Sequence, residues 1–270
     1  MSVPSHILYL ILPLLSFSGC KAESSHDELP ERLVIFGIEL TKIDPGKFSM
    51  GLRDLDERVE PYEGMRSVEI TKTYYLATHE ITQSVWENVM KGNPSHFKGK
   101  DLPVENVTWK ESMAFCKSLN AEIKNFKNIP KGMRFRLPSE AEWEYAVRAE
   151  TKSVYFFGEK PSAIGDFAWI SDNSTDRSHP VKTKKPNPWG FYDVYGNVRE
   201  WCLDGYDVRP KRKLIDPVIG LKNMDKVNRG GSWDSCDDCC KTGRRSNFGK
   251  DYKSNDIGFR VALGFELGEI

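Results

Sequence analysis

Residues 136–146 read Arg-Leu-Pro-Ser-Glu-Ala-Glu-Trp-Glu-Tyr-Ala and carry a clear signal for the start of a helix. Ser139 is followed three residues later by Glu142, which is the spacing of a capping box. In that motif the hydroxyl and the carboxylate satisfy backbone amides that the first helical turn leaves without partners. The stretch therefore predicts a short helix that begins at Ser139.

Two further short helices are predicted on the N-terminal side of this one. Thr108 and Glu111 repeat the capping-box spacing, and Thr82 is a candidate cap for a helix that reaches Met90. Apolar positions at helical spacing after Thr108 place Cys116 on the inner face of the second helix. Cys116 is therefore predicted to be a small core residue and not a metal ligand.

The remaining chain reads as short strand-like pieces, such as residues 66–75 and 258–263, separated by Gly, Pro and Asn turns. No Gly/Ser- or Pro-rich break long enough for a linker appears between Val34 and Leu263, so a single domain is predicted. A domain with so little regular structure needs more than backbone ladders to hold its loops. Bound cations, buried Trp and Arg–carboxylate pairs are the candidates.

Composition excludes one class of function. The 270 residues contain 39 Lys+Arg and 39 Asp+Glu, so the formal net charge is zero, and 39% of the chain is hydrophobic. Nucleic acids and anionic membranes attract proteins with a net basic field, which this chain lacks. No nucleic-acid partner is predicted.

The N-terminus predicts export. Residues 7–15 form an apolar run too short to span a membrane and typical of a signal peptide. Ser18 and Gly19 lead into Cys20, as in bacterial lipoproteins whose cysteine is lipidated after cleavage. We therefore predict a signal peptide over residues 1–19, a tether over 20–33 and a folded domain over 34–268. Lipidation of Cys20 would anchor the protein to a membrane in the periplasm or at the cell surface. A plain secretory signal and an uncleaved anchor are the alternatives, and both also export the chain.

Eight sequence blocks, taken in order, resemble the formylglycine-generating enzyme (sulfatase-modifying factor) domain family. They are Phe48–Gly51, His79–Thr82, Pro103–Trp109, Arg136–Ala146, Pro186–Asp193, Gly196–Trp201, Arg229–Trp233 and Gly258–Arg260. The resemblance implies a compact α+β domain with low regular secondary structure, related to C-type-lectin-like folds.

The family's founding activity implies a function. Enzymes of this type oxidise a Cys within a Cys-x-Pro-x-Arg motif of an unfolded sulfatase to formylglycine, using molecular oxygen and Cu(I) held by two cysteines. Thiolates are the soft ligands that monovalent copper prefers. Cys240 matches the second family cysteine, whereas Ser235 occupies the place of the first and Cys236 follows one residue later. The resemblance implies Cys236 and Cys240 as copper ligands, Ser232 beside the oxygen or the substrate sulfur, and Arg245 as the residue that holds the peptide.

The same cysteines allow other interpretations. If Cys20 is lipidated, five cysteines remain, at positions 116, 202, 236, 239 and 240, so complete pairing is impossible. An exported protein meets oxidising conditions, and a disulfide between two of the three clustered cysteines competes with a metal site. Cys239 and Cys240 are adjacent and would pair only with strain. A zinc site at Cys236 and Cys239 would need a second ligand pair, which is absent nearby.

A structural Ca²⁺ site is also implied by the resemblance. In the family a Gly-Asn-Val-x-Glu-Trp turn supplies oxygen ligands, which correspond here to Asn197, the carbonyl of Val198, and Glu200. Arg199 stands where the family usually has Trp. The alternative is that Asn197 and Glu200 only satisfy amides of the turn.

Two hypotheses of different class follow. The first is an exported, copper-dependent oxidase that acts on an unfolded sulfatase peptide. The second is a non-catalytic lipoprotein that uses the same fold to bind an envelope protein or assist its assembly.

Overall fold

The computed structural model describes residues 29–52, 64–126 and 129–269. Within these ranges the chain forms three α-helices and twelve short strands. The strands are β1 (Arg32–Ile35), β2 (Ile38–Ile43), β3 (Gly46–Met50), β4 (Arg66–Ile70), β5 (Tyr74–Ala77), β6 (Arg134–Arg136), β7 (Arg199–Gly205), β8 (Leu214–Ile215), β9 (Asp225–Arg229), β10 (Ser246–Gly249), β11 (Ile257–Gly258) and β12 (Ala262–Gly264). The helices are α1 (Gln83–Met90), α2 (Trp109–Glu122) and α3 (Glu140–Arg148).

All three predicted helix starts are confirmed. In α3 the amide of Glu142 donates to Ser139 Oγ at 3.1 Å, and the amide of Ser139 donates to the Glu142 carboxylate at 2.9 Å. The same reciprocal pair joins Thr108 and Glu111 at the start of α2. Thr82 caps α1 by accepting from the amide of Val85. Local side-chain chemistry thus decides where each helix begins.

The strands lie in three sheets of the described chain, ordered β1-β2-β5-β12-β6, β10-β9-β7-β11 and β3-β4-β8. Most neighbouring strands are antiparallel, and β11 with β7 and β4 with β8 are parallel pairs. This mixture of few helices and several small sheets confirms the predicted α+β class with low regular structure. It also divides the buried apolar side chains into two clusters.

The predicted bounds of two strands were wrong. Residues 66–75 are two strands, β4 and β5, which belong to different sheets, and residues 258–263 divide between β11 and β12. In the second case Arg260 lies between the strands, and its guanidinium is turned toward the buried carboxylate of Glu200. Periodicity could not reveal these breaks because the residues on both sides of each break are buried.

Buried Arg–carboxylate pairs, one of the three candidates named from the sequence, connect separate elements of the fold. Arg136 and Glu142 form a two-bond pair with both N···O distances at 2.6 Å, and Arg260 binds Glu200 in the same way. Paired guanidinium and carboxylate groups of this kind supply directional contacts where ladders are short. Cys116 is 2% exposed inside the second apolar cluster, which confirms its predicted core position.

The structure bears only in part on the predicted domain limits. Strand β1 begins at Arg32, two residues before the predicted start at residue 34. The predicted signal peptide, Cys20 and most of the tether fall outside the described residues and stay predictions. Within the described ranges no helix has the length and apolar character needed to cross a membrane.

Candidate functional site

The residues that the sequence singled out gather at a glycine turn after β9. Gly230 and Gly231 adopt φ values of 92° and 74°, the left-handed region that favours glycine. A Cβ placed on Gly231 would touch Cys240 Sγ and would lie 3.3 Å from the Cβ of Ser235. The side chains of Ser235 and Cys240 therefore face the same point. These are the positions that correspond to the two family cysteines.

Ser232 belongs to a buried hydrogen-bond network at this turn. Its amide donates to Ser235 Oγ at 2.9 Å, and its hydroxyl donates to Asp256 Oδ2 at 3.3 Å. Arg199 joins the same groups, because its Nη2 donates to Ser235 Oγ at 3.0 Å and its Nε lies 3.2 Å from Asp256 Oδ2. The hydroxyl of Ser232 also lies 3.2 Å from the hydroxyl of Ser235, so Asp256 and Ser235 both hold it in place.

Cys236 is directed elsewhere. It forms a disulfide with Cys239, and both residues are exposed. A short 3₁₀ turn, Asp237–Cys240, explains the pairing, because residues three apart lie on the same side of a helix with three residues per turn. The amide of Cys239 donates to the carbonyl of Cys236 at 3.1 Å. This arrangement is the disulfide alternative that the sequence left open for the clustered cysteines.

Cys240, in contrast, is a buried thiol. It is 1% exposed, and burial raises its pKa to about 12 despite the opposing field of Arg199. Copper ligation by Cys236 and Cys240 requires two thiolates on one ion. The residues as found do not fit Cu(I), since one sulfur is bonded to Cys239 and the other is a buried, protonated thiol.

We expect Cys240 to resist alkylation in the folded protein. At pH 8 a thiol with a pKa of about 12 is thiolate in roughly one molecule in ten thousand, and the side chain is inaccessible. Iodoacetamide labelling followed by mass spectrometry should leave Cys240 unmodified. After mild reduction of the folded protein, Cys236 and Cys239 should become labelled while Cys240 stays protected. Rapid labelling of Cys240 before reduction would contradict its assigned burial.

Arg245 lies beside this turn but is engaged by the protein itself. Its Nε and Nη2 donate to the two oxygens of Glu140 at 2.7 and 2.9 Å, and its Nη1 donates to the carbonyl of Asp207. It also edges a cavity of about 160 Å³ next to the glycine turn. The predicted role of holding a peptide stays a prediction.

Apart from Arg245, the residues that line the cavity were not predicted from the sequence to be site residues. Arg229, Arg244 and Asn228 contribute to its wall, together with Arg199 and Cys239. Arg199 is the residue of this set that the sequence could have indicated, because it places a cation where the Gly-Asn-Val-x-Glu-Trp turn of the family usually has Trp. Asn228 and Arg229 precede the glycine turn on β9. Arg229 begins one of the eight sequence blocks, whereas no local pattern distinguishes Asn228 from an ordinary strand residue.

The carboxylate of Glu200, one of the predicted calcium ligands, is already bound by other side chains. Both of its oxygens accept from Arg260 at 2.6 Å, and one also accepts from Trp143 Nε1 at 2.7 Å. A guanidinium in direct contact repels a second cation, so Glu200 does not fit as a ligand. Asn197 Oδ1 accepts from the amide of His179 at 2.9 Å, which lies outside the turn over residues 196–201. In the ranges that the structure describes, no group of three or more His, Cys, Asp or Glu is placed to hold a metal ion.

His79 and Glu80 lie just before α1. The structure buries Glu80 completely, and among the described residues neither of its carboxylate oxygens has a hydrogen-bond partner. Burial raises its pKa well above the ordinary value, and the nearby carboxylates of Asp193 and Glu200 add to the shift. Glu80 therefore belongs to the core.

Comparison with known proteins places the chain among relatives with different activities. It is 30% identical over 231 residues to a chaperone protein, LppX, of Paenibacillus barcinonensis, covering 70% of this chain and 79% of that protein. It is 27% identical to the formylglycine-generating enzyme of Mus musculus, covering 74% of this chain and 56% of the enzyme. It is 31% identical to the inactive Cα-formylglycine-generating enzyme 2 of Bos taurus, covering 60% and 51%. The chain thus spans about half the length of these last two proteins.

The fold has a solved counterpart. Treponema denticola variable protein 1 superposes with a TM-score of 0.76 at 29% identity, covering 86% of this chain and 98% of that one. The sequence profile of the Sulfatase-modifying factor enzyme 1-like domain matches residues 37–264. On this match the chain belongs to the family of sulfatase-modifying factor enzyme 1-like domains, to which the formylglycine-generating enzymes also belong.

Proposed function

We propose that this protein is a non-catalytic member of the family that binds a segment of another exported protein. One observation carries the proposal: the sulfur of Cys240 faces the glycine turn, whereas Ser235, which also faces it, occupies the place of the first family cysteine and supplies a hydroxyl instead of a second sulfur. A Cu(I) centre of the family type needs two thiolates that can approach one ion. A hydroxyl is a hard and nearly always protonated donor, so Ser235 is a poor substitute.

The relatives are compatible with a binding role. One is a chaperone and another is described as inactive, so the family fold also occurs in proteins that are not described as oxidases. Fold alone does not decide the activity of a family member. We further propose that Cys20 is lipidated and anchors the domain to a membrane, where its partner would be an envelope protein.

The oxidase remains the second candidate, because Cys240 and Arg245 are retained at positions that match the family. In that case a reductant would first open the Cys236–Cys239 disulfide, and Cys236 would have to move to share an ion with Cys240. The partner would then be an unfolded sulfatase peptide.

A peptide oxidation assay separates the two candidates. The full chain is incubated with a Cys-x-Pro-x-Arg peptide, Cu(I), oxygen and a thiol reductant, with the mouse formylglycine-generating enzyme as positive control. We expect no conversion of thiol to aldehyde by mass spectrometry. Conversion that disappears in Cys240→Ser would overturn the proposal and establish the oxidase.

A designed variant makes a negative result informative. Ser235→Cys, combined with Cys236→Ser and Cys239→Ser, supplies two thiols that face the Gly231 turn and removes the competing disulfide. We expect its affinity for Cu(I), measured by competition with a chromogenic chelator, to exceed that of the wild type by at least about tenfold, as two thiolates replace one. The matched control carries only Cys236→Ser and Cys239→Ser. Equal copper affinity in all three proteins would remove the structural basis of the proposal.

A further inference from the structure

A second cleft lies between the turn that joins β2 to β3 and the C-terminal end of α3. Its volume is about 370 Å³, and its lining residues differ from those of the cavity beside the glycine turn. Tyr145 and Trp189 form its aromatic wall, with ring centroids 5.2 Å apart and ring planes at 85° to each other. Two rings at a right angle form the walls of a corner, and the negative π faces of aromatic rings attract cations.

Aromatic rings elsewhere on the described surface already have a cation beside them. Lys184 Nζ lies 3.9 Å from the ring centroid of Trp169, and Lys182 Nζ lies 5.6 Å from that of Tyr192. No Lys or Arg of the described ranges is placed in this way over Tyr145 or Trp189. The rings of the cleft are therefore open to a cation from another molecule.

The cleft lining contains more negative than positive charge. Glu31, Asp44 and Glu150 supply three carboxylates, and Lys42 is the cation among the lining residues. Lys42 Nζ is engaged by Glu31 and lies 3.6 Å from Asp44. Glu150 is exposed and makes no hydrogen bond or ion pair through its side chain with any residue that the structure describes. Glu150 is thus the carboxylate of the cleft without a counter-ion in the described chain.

The hydroxyl of Tyr145 is an independent sign of a ligand. Tyr145 is only 7% exposed, and its hydroxyl lies so close to Gly46 that a Cβ there would collide with it. Among the described residues this hydroxyl has no hydrogen-bond partner. Burial raises the pKa of Tyr145, and the charges of Glu150 and Asp44 raise it further, so the oxygen lies within their field. Buried polar groups are nearly always paired in native proteins, so a group that enters the cleft is expected to bind here.

The backbone after α3 brings Glu150 to this position. Ala149 and Glu150 have φ values of 44° and 70°, in the left-handed region that residues other than glycine seldom adopt. The amide of Ala149 donates to the carbonyl of Tyr145 at 3.2 Å, which closes the turn. The turn sets the carboxylate of Glu150 beside the ring of Tyr145 at the rim of the cleft. Strained backbone of this kind is often found at binding sites.

From this geometry we infer that the cleft binds the basic side chain of a protein segment, a lysine ammonium or an arginine guanidinium. Glu150 supplies the opposite charge, the hydroxyl oxygen of Tyr145 accepts one N–H, and Trp189 covers the apolar stem of the side chain. The inference deepens the proposed function, because it states which chemistry the bound segment carries. It rests on that function only in taking the carrier of the basic group to be a protein.

Titration calorimetry on the full chain at low ionic strength tests the cleft. The probes are Nα-acetyl-lysine methylamide and Nα-acetyl-arginine methylamide, in which the side chain is the only charged group. Nα-acetyl-norleucine methylamide is the control, because it keeps the apolar stem without the charge. We expect saturable binding of at least one cationic probe, weakened by added NaCl because salt screens exposed charges. The tighter of the two probes identifies the preferred basic residue.

Two variants connect the binding to the cleft. Glu150→Gln removes the charge and Tyr145→Phe removes only the hydroxyl, and neither change breaks a side-chain hydrogen bond or ion pair with a described residue. Each should weaken binding about threefold, and the double variant about tenfold. Glu87→Gln and Tyr252→Phe, both at exposed positions, are the matched controls and should leave the affinity unchanged.

Three results would overturn the inference. They are no saturable binding of either cationic probe, equally tight binding of the norleucine probe, which would mean an apolar occupant, and undiminished binding in the double variant. None of them alters the outcome of the oxidation assay, because the probes contain no cysteine. Conversion of the Cys-x-Pro-x-Arg peptide would in turn overturn the proposed function and leave the cation cleft standing, so the two failures are distinguishable.

Discussion

Glu140→Gln should lower the free energy of unfolding by about 3–5 kcal/mol, which is typical when one partner of a buried ion pair is removed. Gln is nearly isosteric, so the change removes charge and leaves the packing of α3 intact. Among the described residues, Arg209 would then lose the carboxylate that it binds, and Arg229 would keep Glu144. Urea unfolding followed by tryptophan fluorescence measures the loss.

An exposed pair provides the control. Lys110 binds Asp251 with both side chains more than half exposed, so Lys110→Ala should cost less than about 1 kcal/mol. Equal effects of Glu140→Gln and Lys110→Ala would mean that Glu140 does not neutralise a buried cluster.

The pH dependence of stability gives Glu140 a second signature. Burial alone would raise the pKa of Glu140, but the guanidiniums of Arg209, Arg245 and Arg229 outweigh it and hold the pKa at about 2. The unfolded value is about 4.3, so the folded state binds this proton more weakly. The stabilisation is present above about pH 4.3 and is lost as the pH falls toward 2. The difference between wild type and Glu140→Gln should therefore shrink in this window, and a difference that stays constant would contradict the assignment.

Arg260→Met is expected to cost a similar amount, about 3–5 kcal/mol at neutral pH. Arg260 is the cation that faces three buried acids: it binds Glu200 directly, and its charge also acts on Glu80 and Asp193. It further donates to the carbonyl of Ala77, the last residue of β5, and to the carbonyl of Tyr192. Met preserves apolar volume but supplies neither charge nor donors. Urea unfolding again measures the effect.

The stability deficit of Arg260→Met should depend on pH with the opposite sign to the deficit of Glu140→Gln. Burial raises the pKa of Asp193 to about 6 and that of Glu80 well above its ordinary range, so the folded state binds these protons more tightly than the unfolded chain. Stability associated with these groups rises as the pH falls. The deficit of Arg260→Met should be smaller near pH 5 than near pH 8. A larger deficit at low pH would show that the three acids are not what Arg260 compensates.

Calcium provides an independent check on Glu200 in the same experiments. If Glu200 were a calcium ligand, chelation would destabilise the wild type, and Glu200→Gln would abolish that response. With Arg260 as its partner, Glu200→Gln should destabilise the protein equally with and without Ca²⁺. The comparison separates an ion pair from a metal ligand.

Local chemistry was readable from the chain because its causes lie within a few residues. The capping boxes at Thr108 and Ser139 and the inward position of Cys116 follow from spacings of three or four residues, and the structure confirms them. The eight blocks predicted the family for the same reason, since each is a short, ordered pattern. The scarcity of regular structure also made Arg–carboxylate pairs one of the expected sources of stability.

The partners within those pairs could not be expected. Arg245 and Glu140 are 105 residues apart in the chain, and Arg260 and Glu200 are 60 apart. No local pattern connects such residues, because their meeting depends on how the sheets and α3 pack.

The chain alone therefore decided the helix starts, the family, the α+β class and the absence of a net basic field, each a property of composition or short spacing. Only the tertiary structure decided which sulfur atoms meet. The 3₁₀ turn places Cys236 and Cys239 on one exposed side, while Cys240, one residue further, turns into the core beside Ser235. In a 3₁₀ turn, side chains of successive residues point about 120° apart around the helix axis, so Cys240 points away from the side on which Cys239 forms its disulfide. The packing of the turn against the folded domain decides which of these side chains is buried.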